Sequence, residues 1–458
     1  MENKLNDTSN EKEEEKEVPK ESKSPNLAKI LIIALIVVIT GLIIGIIIYA
    51  ITKSNDDKKD EEKNDDKDKE DDKDDKDDED DEDDEDEWRE IYEKAGYIES
   101  WNDLYGIQKS NLSYAKNDKI INSFKKGGDN YNETMGEINE GKDYPINERN
   151  KYSLYIPYSS LNQLNKYNGI FLFIHGGSWT GGNKEDIEFL SRRYAKMGYI
   201  TATMGYTVLS GKYPNYNIYR ILDEITTCIE NIKEQLEDLK FDTSKLELAI
   251  GGVSAGAHIS LLYGYSIKKT PIPIKFLINI VGPLSLEPEF WYQPAVYNQT
   301  LDDLENETIE NAIENGTIVK IFEDPVFIRL MNEFLGNIYS EEDTNEMIVN
   351  NTINKDSPKY QEMYRKVQNS FPIKFVDSNT LPTLCEYAGN DSLVGVGMYR
   401  FLKELFKKYE KEDELGFVYM RYAGHELISY NTENGIKAMR DIHYQALKYA
   451  KKYFTSDE

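Results

Sequence analysis

Gly169 to Ile174 reads GIFLFI, six residues with no polar side chain on either parity. A strand with one face in solvent alternates apolar and polar residues, so an unbroken run needs burial on both faces, the setting of a parallel strand between two helical layers. FLINIV at Phe276 to Val281 has the same character. Further strands are read at Tyr199 to Tyr206, Leu246 to Gly251, Pro382 to Gly389 and Phe417 to Tyr422, and Tyr152, Leu154 and Ile156 alternate as a strand does. Helical patterns fall between them: Lys184 to Met197, Ala255 to about Ile267, a stretch through Phe401 and Leu405, and Gly435 to Phe454. In Ile218 to Leu236 the residues Ile218, Ile221, Leu222, Ile225, Ile229, Ile232 and Leu236 share one face. This alternation predicts an α/β fold with a mostly parallel central sheet flanked by helices.

The chain divides by composition before it divides by structure. Residues 1–29 form a short polar tail. Ile30 to Ile51 is a run of 22 residues without a charge, long enough as a helix to cross a bilayer core and too long for the apolar part of a cleavable signal. From Ser54 to Glu87 there are 24 acidic residues against 7 Lys, so more than half of the chain's net charge of −29 sits in one stretch. With no apolar residue to bury, residues 52–87 are expected to be an extended, disordered linker. The globular part is 88–458. Its first portion, to about Asn150, is a polar and aromatic lead-in with two weak helical patterns. The strand–helix alternation breaks from about 283 to 380, an insertion whose length is that of a helical cap. No internal repeat is present.

Orientation of the span is not decided by charge, because 5 Lys from residue 10 to 29 face 6 from residue 52 to 71. The short leader and large C-terminal part favour an N-terminus-inside anchor with the globular part outside the cytoplasm. Asn-X-Ser/Thr triplets at Asn111, Asn132, Asn298, Asn306, Asn315 and Asn350 agree with this, although a chain so rich in Asn produces them by chance. No basic patch points to nucleic acid. Cys228 and Cys385 fall within a helix and a strand, which favours buried free thiols over a disulfide or a metal site.

Gly252-Val253-Ser254-Ala255-Gly256 lies between a predicted strand and a predicted helix, the context of a nucleophile elbow. Small residues flank the Ser because the turn is tight; the competing role is a Ser capping a helix. A Ser hydroxyl needs a base, and the chain has 4 His. His425, in YAGHEL after the last predicted strand, is in the position for it; His175 and His258 sit beside other motifs, and His443 lies within the final helix as a surface or packing residue. Asp391, just past the strand 382 to 388, has the chain order and strand-end position of the orienting acid. Glu386, inside that strand, is the fallback. Negative charge on an attacked carbonyl needs preorganised donors, for which the backbone of Gly176, Gly177 and Ala255 is suited. Asn183-Lys184 follows glycines but lacks the spacing of a nucleotide loop.

These motifs resemble those of the α/β-hydrolase superfamily, specifically its carboxylesterase-like branch with an HGGxW oxyanion loop. The likeness rests on His175-Gly176-Gly177-Ser178-Trp179, the elbow at Ser254, the loop Gly389 to Val394 and Gly424-His425, and it runs from about Tyr152 to Phe454. The HGGxW form is also similar to that of formylkynurenine-formamidase-like and feruloyl-esterase-like members. The resemblance implies an α/β-hydrolase fold, a Ser254–His425–Asp391 triad acting on small ester substrates through an acyl-enzyme, and Ser178 and Trp179 lining the acyl site, with packing as the alternative for Trp179. It implies no metal and no organic cofactor. An amidase, formamidase or peptidase would use the same triad. A surface binding protein with a hydrolase fold is the rival of another class. Oligomeric state is left open.

Overall fold

The computed structural model describes residues 94–95, 100–115, 120, 122–124, 126–130, 132–139, 145–162, 169–213, 215–294, 309–389, 391–395, 397–420, 423–425 and 433–455. The tail 1–29, the apolar run 30–51 and the linker 52–87 lie outside these residues, as do Asn298 and Asn306. Among the described residues no helix is long and apolar enough to cross a membrane.

In chain order the first half holds β1 (Gly106–Ser113), α1 (Glu133–Asn139), β2 (Lys151–Pro157), β3 (Ile170–Ile174), α2 (Glu188–Lys196), β4 (Ile200–Met204), α3 (Ile218–Asp238), β5 (Leu248–Val253), α4 (Ala255–Ser266) and β6 (Ile274–Ile280). The insertion holds β7 (Tyr292–Pro294), α5 (Ile309–Glu314), β8 (Ile318–Lys320), α6 (Asp324–Phe334), α7 (Glu341–Glu346), β9 (Ile348–Val349), β10 (Thr352–Ile353) and α8 (Pro358–Val367). The chain closes with β11 (Thr383–Ala388), α9 (Gly397–Lys408), β12 (Leu415–Met420) and α10 (Glu433–Tyr453). Eight strands form one sheet in the order β1-β2-β4-β3-β5-β6-β11-β12. β2 pairs antiparallel with both β1 and β4, and the other pairs are parallel.

The two parities of β3 feed different cores, which is why no polar residue interrupts it. Ile170, Leu172 and Ile174 join the core on one face, and Phe171 and Phe173 join the core on the other. β5 divides the same way, Leu248 and Ile250 against Ala249 and Val253, and so does β11, Cys385 and Tyr387 against Leu384 and Ala388. Burial of each such Ile or Leu contributes about 1.5–3 kcal/mol, so a polar side chain at these positions would lose that and its own hydration. The apolar stripe of α3, with Cys228 beside it, and Ile259, Leu261 and Leu262 of α4 cover the first face; Leu190 of α2 with Ile442, Ala446 and Leu447 of α10 cover the second. Asn217 starts α3 by accepting from the Arg220 N–H at 3.0 Å. Both cysteines are free and buried.

The lead-in departs from its helical reading. Alongside α1 it contributes β1, an edge strand pairing antiparallel with β2. GIQKSNLS has only Ile107 and Leu112 as apolar anchors, and a register shift between Lys109 and Leu112 breaks their alternation, so no period-2 signal was available. In the insertion the helical patterns correspond to α5 to α8, whereas the ribbons β7–β8 and β9–β10 are too short to show alternation.

Candidate active site

Ser254 stands between the end of β5 and the start of α4 with φ 54° and ψ −122°, a conformation a side chain adopts only under constraint. Its N–H donates to the Ile280 carbonyl at 2.8 Å, and its carbonyl accepts the His258 N–H at 3.1 Å. The flanking glycines are obligatory by space: a Cβ at Gly256 would lie 2.1 Å from the Ile174 carbonyl oxygen, and one at Gly252 would lie 2.5 Å from the Gly256 backbone. The turn therefore brings β3, β5 and α4 closer than any other residue pair would permit.

His425 follows β12 and reaches back to this turn. Its Nε2 is 3.0 Å from Ser254 Oγ, and its Nδ1 is 2.8 Å from Asp391 Oδ2. Asp391 follows β11 and is buried, while its other oxygen accepts the N–H groups of Leu393 at 2.8 Å and Val394 at 2.9 Å. A carboxylate held on one oxygen by two N–H donors has the other oxygen aimed, so the imidazole is oriented with Nδ1 donating to Asp391 and Nε2 free to accept from Ser254. Glu386 lies one strand-length away from that role: it is buried within β11, on the parity that faces α10, without a hydrogen-bond partner among the described residues, and burial holds its carboxyl well above the usual range.

The loop after β3 packs against the elbow. A Cβ at Gly176 would meet the Val253 carbonyl oxygen at 2.9 Å and Ser254 Cβ at 3.3 Å. Gly177 has φ 112°, and its carbonyl accepts the N–H groups of Thr180 and Gly181. Ala255 opens α4, where first-turn N–H groups have no partner inside the helix. Ser178 is exposed, and Trp179 is 5% exposed with its indole N–H donating to His258 Nδ1 at 3.2 Å.

The remaining histidines are buried. His175 is buried, stacked on Tyr206 at 4.3 Å, with Nδ1 2.7 Å from the Gly176 carbonyl; burial lowers its pKa to about 4. His443 is packed inside rather than on the surface, its Nδ1 2.7 Å from the Tyr194 hydroxyl. Lys184 is buried against Glu185, Glu188 and Ser153, which leaves it no role in binding phosphate. The sequence shows His258 one turn after Ser254 within the apolar AGAHISLLYGY, but not its partners Trp179 and Ser370, which are distant along the chain. A cleft of about 1100 Å³ lined by Tyr265, Lys268 and Tyr409 lies at the other end of α4 from Ser254.

A family model described as BD-FAE matches residues 154–405, more than half of the chain. Among solved structures, a truncated form of a carbohydrate esterase from gut microbiota is 14% identical, with a TM-score of 0.46, covering 77% of this chain and 99% of that one. Esterase B from Lactobacillus rhamnosis is 12% identical, with a TM-score of 0.43 over 80% of this chain and 94% of that one. A thermophilic esterase from Thermogutta terrifontis is 16% identical, with a TM-score of 0.42 over 66% and 89%.

Proposed function

The chain belongs to the BD-FAE family, an α/β-hydrolase-type family, and from that premise we propose that it is a membrane-tethered serine esterase hydrolysing small carboxylic esters. The observation that carries this is the unbroken line from Ser254 Oγ through His425 to Asp391, at 3.0 and 2.8 Å, in a turn whose backbone exposes the hydroxyl. Ser254 Oγ attacks the ester carbonyl as His425 Nε2 takes its proton. Asp391 holds the imidazole and stabilises its charge. The N–H groups of Gly176, Gly177 and Ala255 receive the oxyanion. His425 then gives its proton to the departing alcohol, and a water molecule deprotonated by His425 releases the acid from Ser254.

The insertion 283–380 serves as the cap over this site, with Ser178 beside the acyl group and Trp179 in its packing role, buried against His258 and Phe334. Its support is the contact of Phe334 and Ser370 with the elbow helix and the glycine loop. The tether is Ile30 to Ile51 with the acidic linker behind it, the catalytic part facing away from the cytoplasm. Replacing Ser254 with Ala should abolish labelling of the full chain by a fluorophosphonate probe and lower ester turnover by roughly 10⁴-fold or more. Near-wild-type activity in that variant would refute the assignment. Matched ester and amide substrates then separate an esterase from an amidase or peptidase.

A further inference from the structure

His258 joins three parts of the molecule that the proposed chemistry needs in register. It is fully buried on α4, one turn past Ser254. The Trp179 indole N–H, which can only donate, points at its Nδ1 at 3.2 Å, and its Nε2 lies 2.9 Å from the Ser370 carbonyl oxygen, which can only accept. These partners select the neutral tautomer with the proton on Nε2, and both ring nitrogens are satisfied. Trp179 meets the imidazole edge-on at 5.3 Å, and Phe334 of α6 closes the cluster 4.9 Å from Trp179 and 5.6 Å from His258. One side chain thus bonds the glycine loop, through Trp179, and the insertion, through Ser370, to the elbow helix.

The loop needs such a joint. Gly177, Ser178 and Trp179 have consecutive φ values of 112°, 51° and 61°, and the last two carry a Cβ in the left-handed region. Side chains rarely hold that conformation unless their surroundings impose it. The indole anchor, together with the Leu209 N–H donating to the Trp179 carbonyl at 2.8 Å, imposes it here.

We propose that His258 is a positioning residue that, acting through Trp179, holds the glycine loop at its working distance from Ser254, and through Ser370 ties that distance to the seating of the insertion. This rests on the serine-esterase function proposed above. Oxyanion donors act only when they sit about 2.7–3.1 Å from the charge that develops, so a loosened loop weakens transition-state binding more than substrate binding.

The test is kcat and KM for p-nitrophenyl acetate with the full chain as wild type, W179F, H258L, H258Q and the W179F/H258L double variant. W179F and H258L should each lower kcat by about tenfold to a hundredfold with KM held within about threefold. The double variant should be no worse than the worse single, because both remove one bond. Glutamine offers an acceptor and a donor spaced like the two ring nitrogens, so H258Q should recover part of kcat. Wild-type kcat in W179F and H258L, a loss confined to KM, or losses that multiply in the double variant would overturn the role. If H258L does not fold, W179F and H258Q decide by the same measures. S254A run alongside keeps the two levels apart: activity surviving in S254A defeats the esterase function, whereas an inactive S254A beside a fully active W179F defeats the positioning role alone.

Discussion

Ser254 occupies a backbone conformation that costs of order 1–3 kcal/mol, and two interstrand and intrahelical bonds with flanking glycines hold it there. The geometry at Asp391 makes a sharp prediction. Oδ1 accepts two N–H groups, so in Asp391→Asn the amide oxygen must take that position and the NH₂ must face His425 Nδ1. The imidazole then turns to the tautomer that carries its proton on Nε2 and is unable to accept one from Ser254. With the fold intact, kcat should fall by roughly 10⁴-fold. Steady-state kinetics beside a thermal melt checks this, and a loss under tenfold would detach Asp391 from the chemistry. At this scale the strand-end settings of Ser254, His425 and Asp391 were readable because each lies in a motif of its own. The partners of His258 were not, because they lie 79 and 112 residues distant.

Among the elements, α3 and the lead-in are joined by a buried carboxylate. Asp223 accepts the Ser123 N–H at 2.9 Å and its hydroxyl at 2.8 Å, and burial raises its pKa to about 7 despite those bonds. Since a free Asp titrates near 4, the folded state holds this proton more tightly than the unfolded chain. Its contribution is complete below about pH 4 and is lost as pH rises through about 7. Asp223→Asn keeps an acceptor for Ser123 without the charge. Relative to wild type, the variant's urea midpoint should rise between about pH 4.5 and 7.5, and parallel profiles would show that Asp223 does not titrate between the states. The sequence made α3 plain through its apolar stripe and β3 through its unbroken run. β1 stayed hidden, since an edge strand with one solvated face and a register shift has neither signature.

For the whole molecule, two cores on opposite faces of one sheet account for the order of strands and helices along the chain. The proposed tether belongs to this scale too. If Ile30 to Ile51 anchors the chain with its N-terminus inside, protease added to intact cells will trim the C-terminal part; complete protection would reverse the orientation. The sequence by itself determined the alternation of elements, the strand–turn–helix setting of Ser254, and the chain order in which Ser254, Asp391 and His425 occur. All of these are written in periodicity and turn chemistry, which act between near neighbours. Tertiary structure alone decided that His425 meets Ser254 across 171 residues, that Glu386 faces α10 instead, and that His258 takes its tautomer from Trp179 and Ser370. Contacts at such separations depend on how the faces of sheet and helices pack, and local pattern carries no record of that.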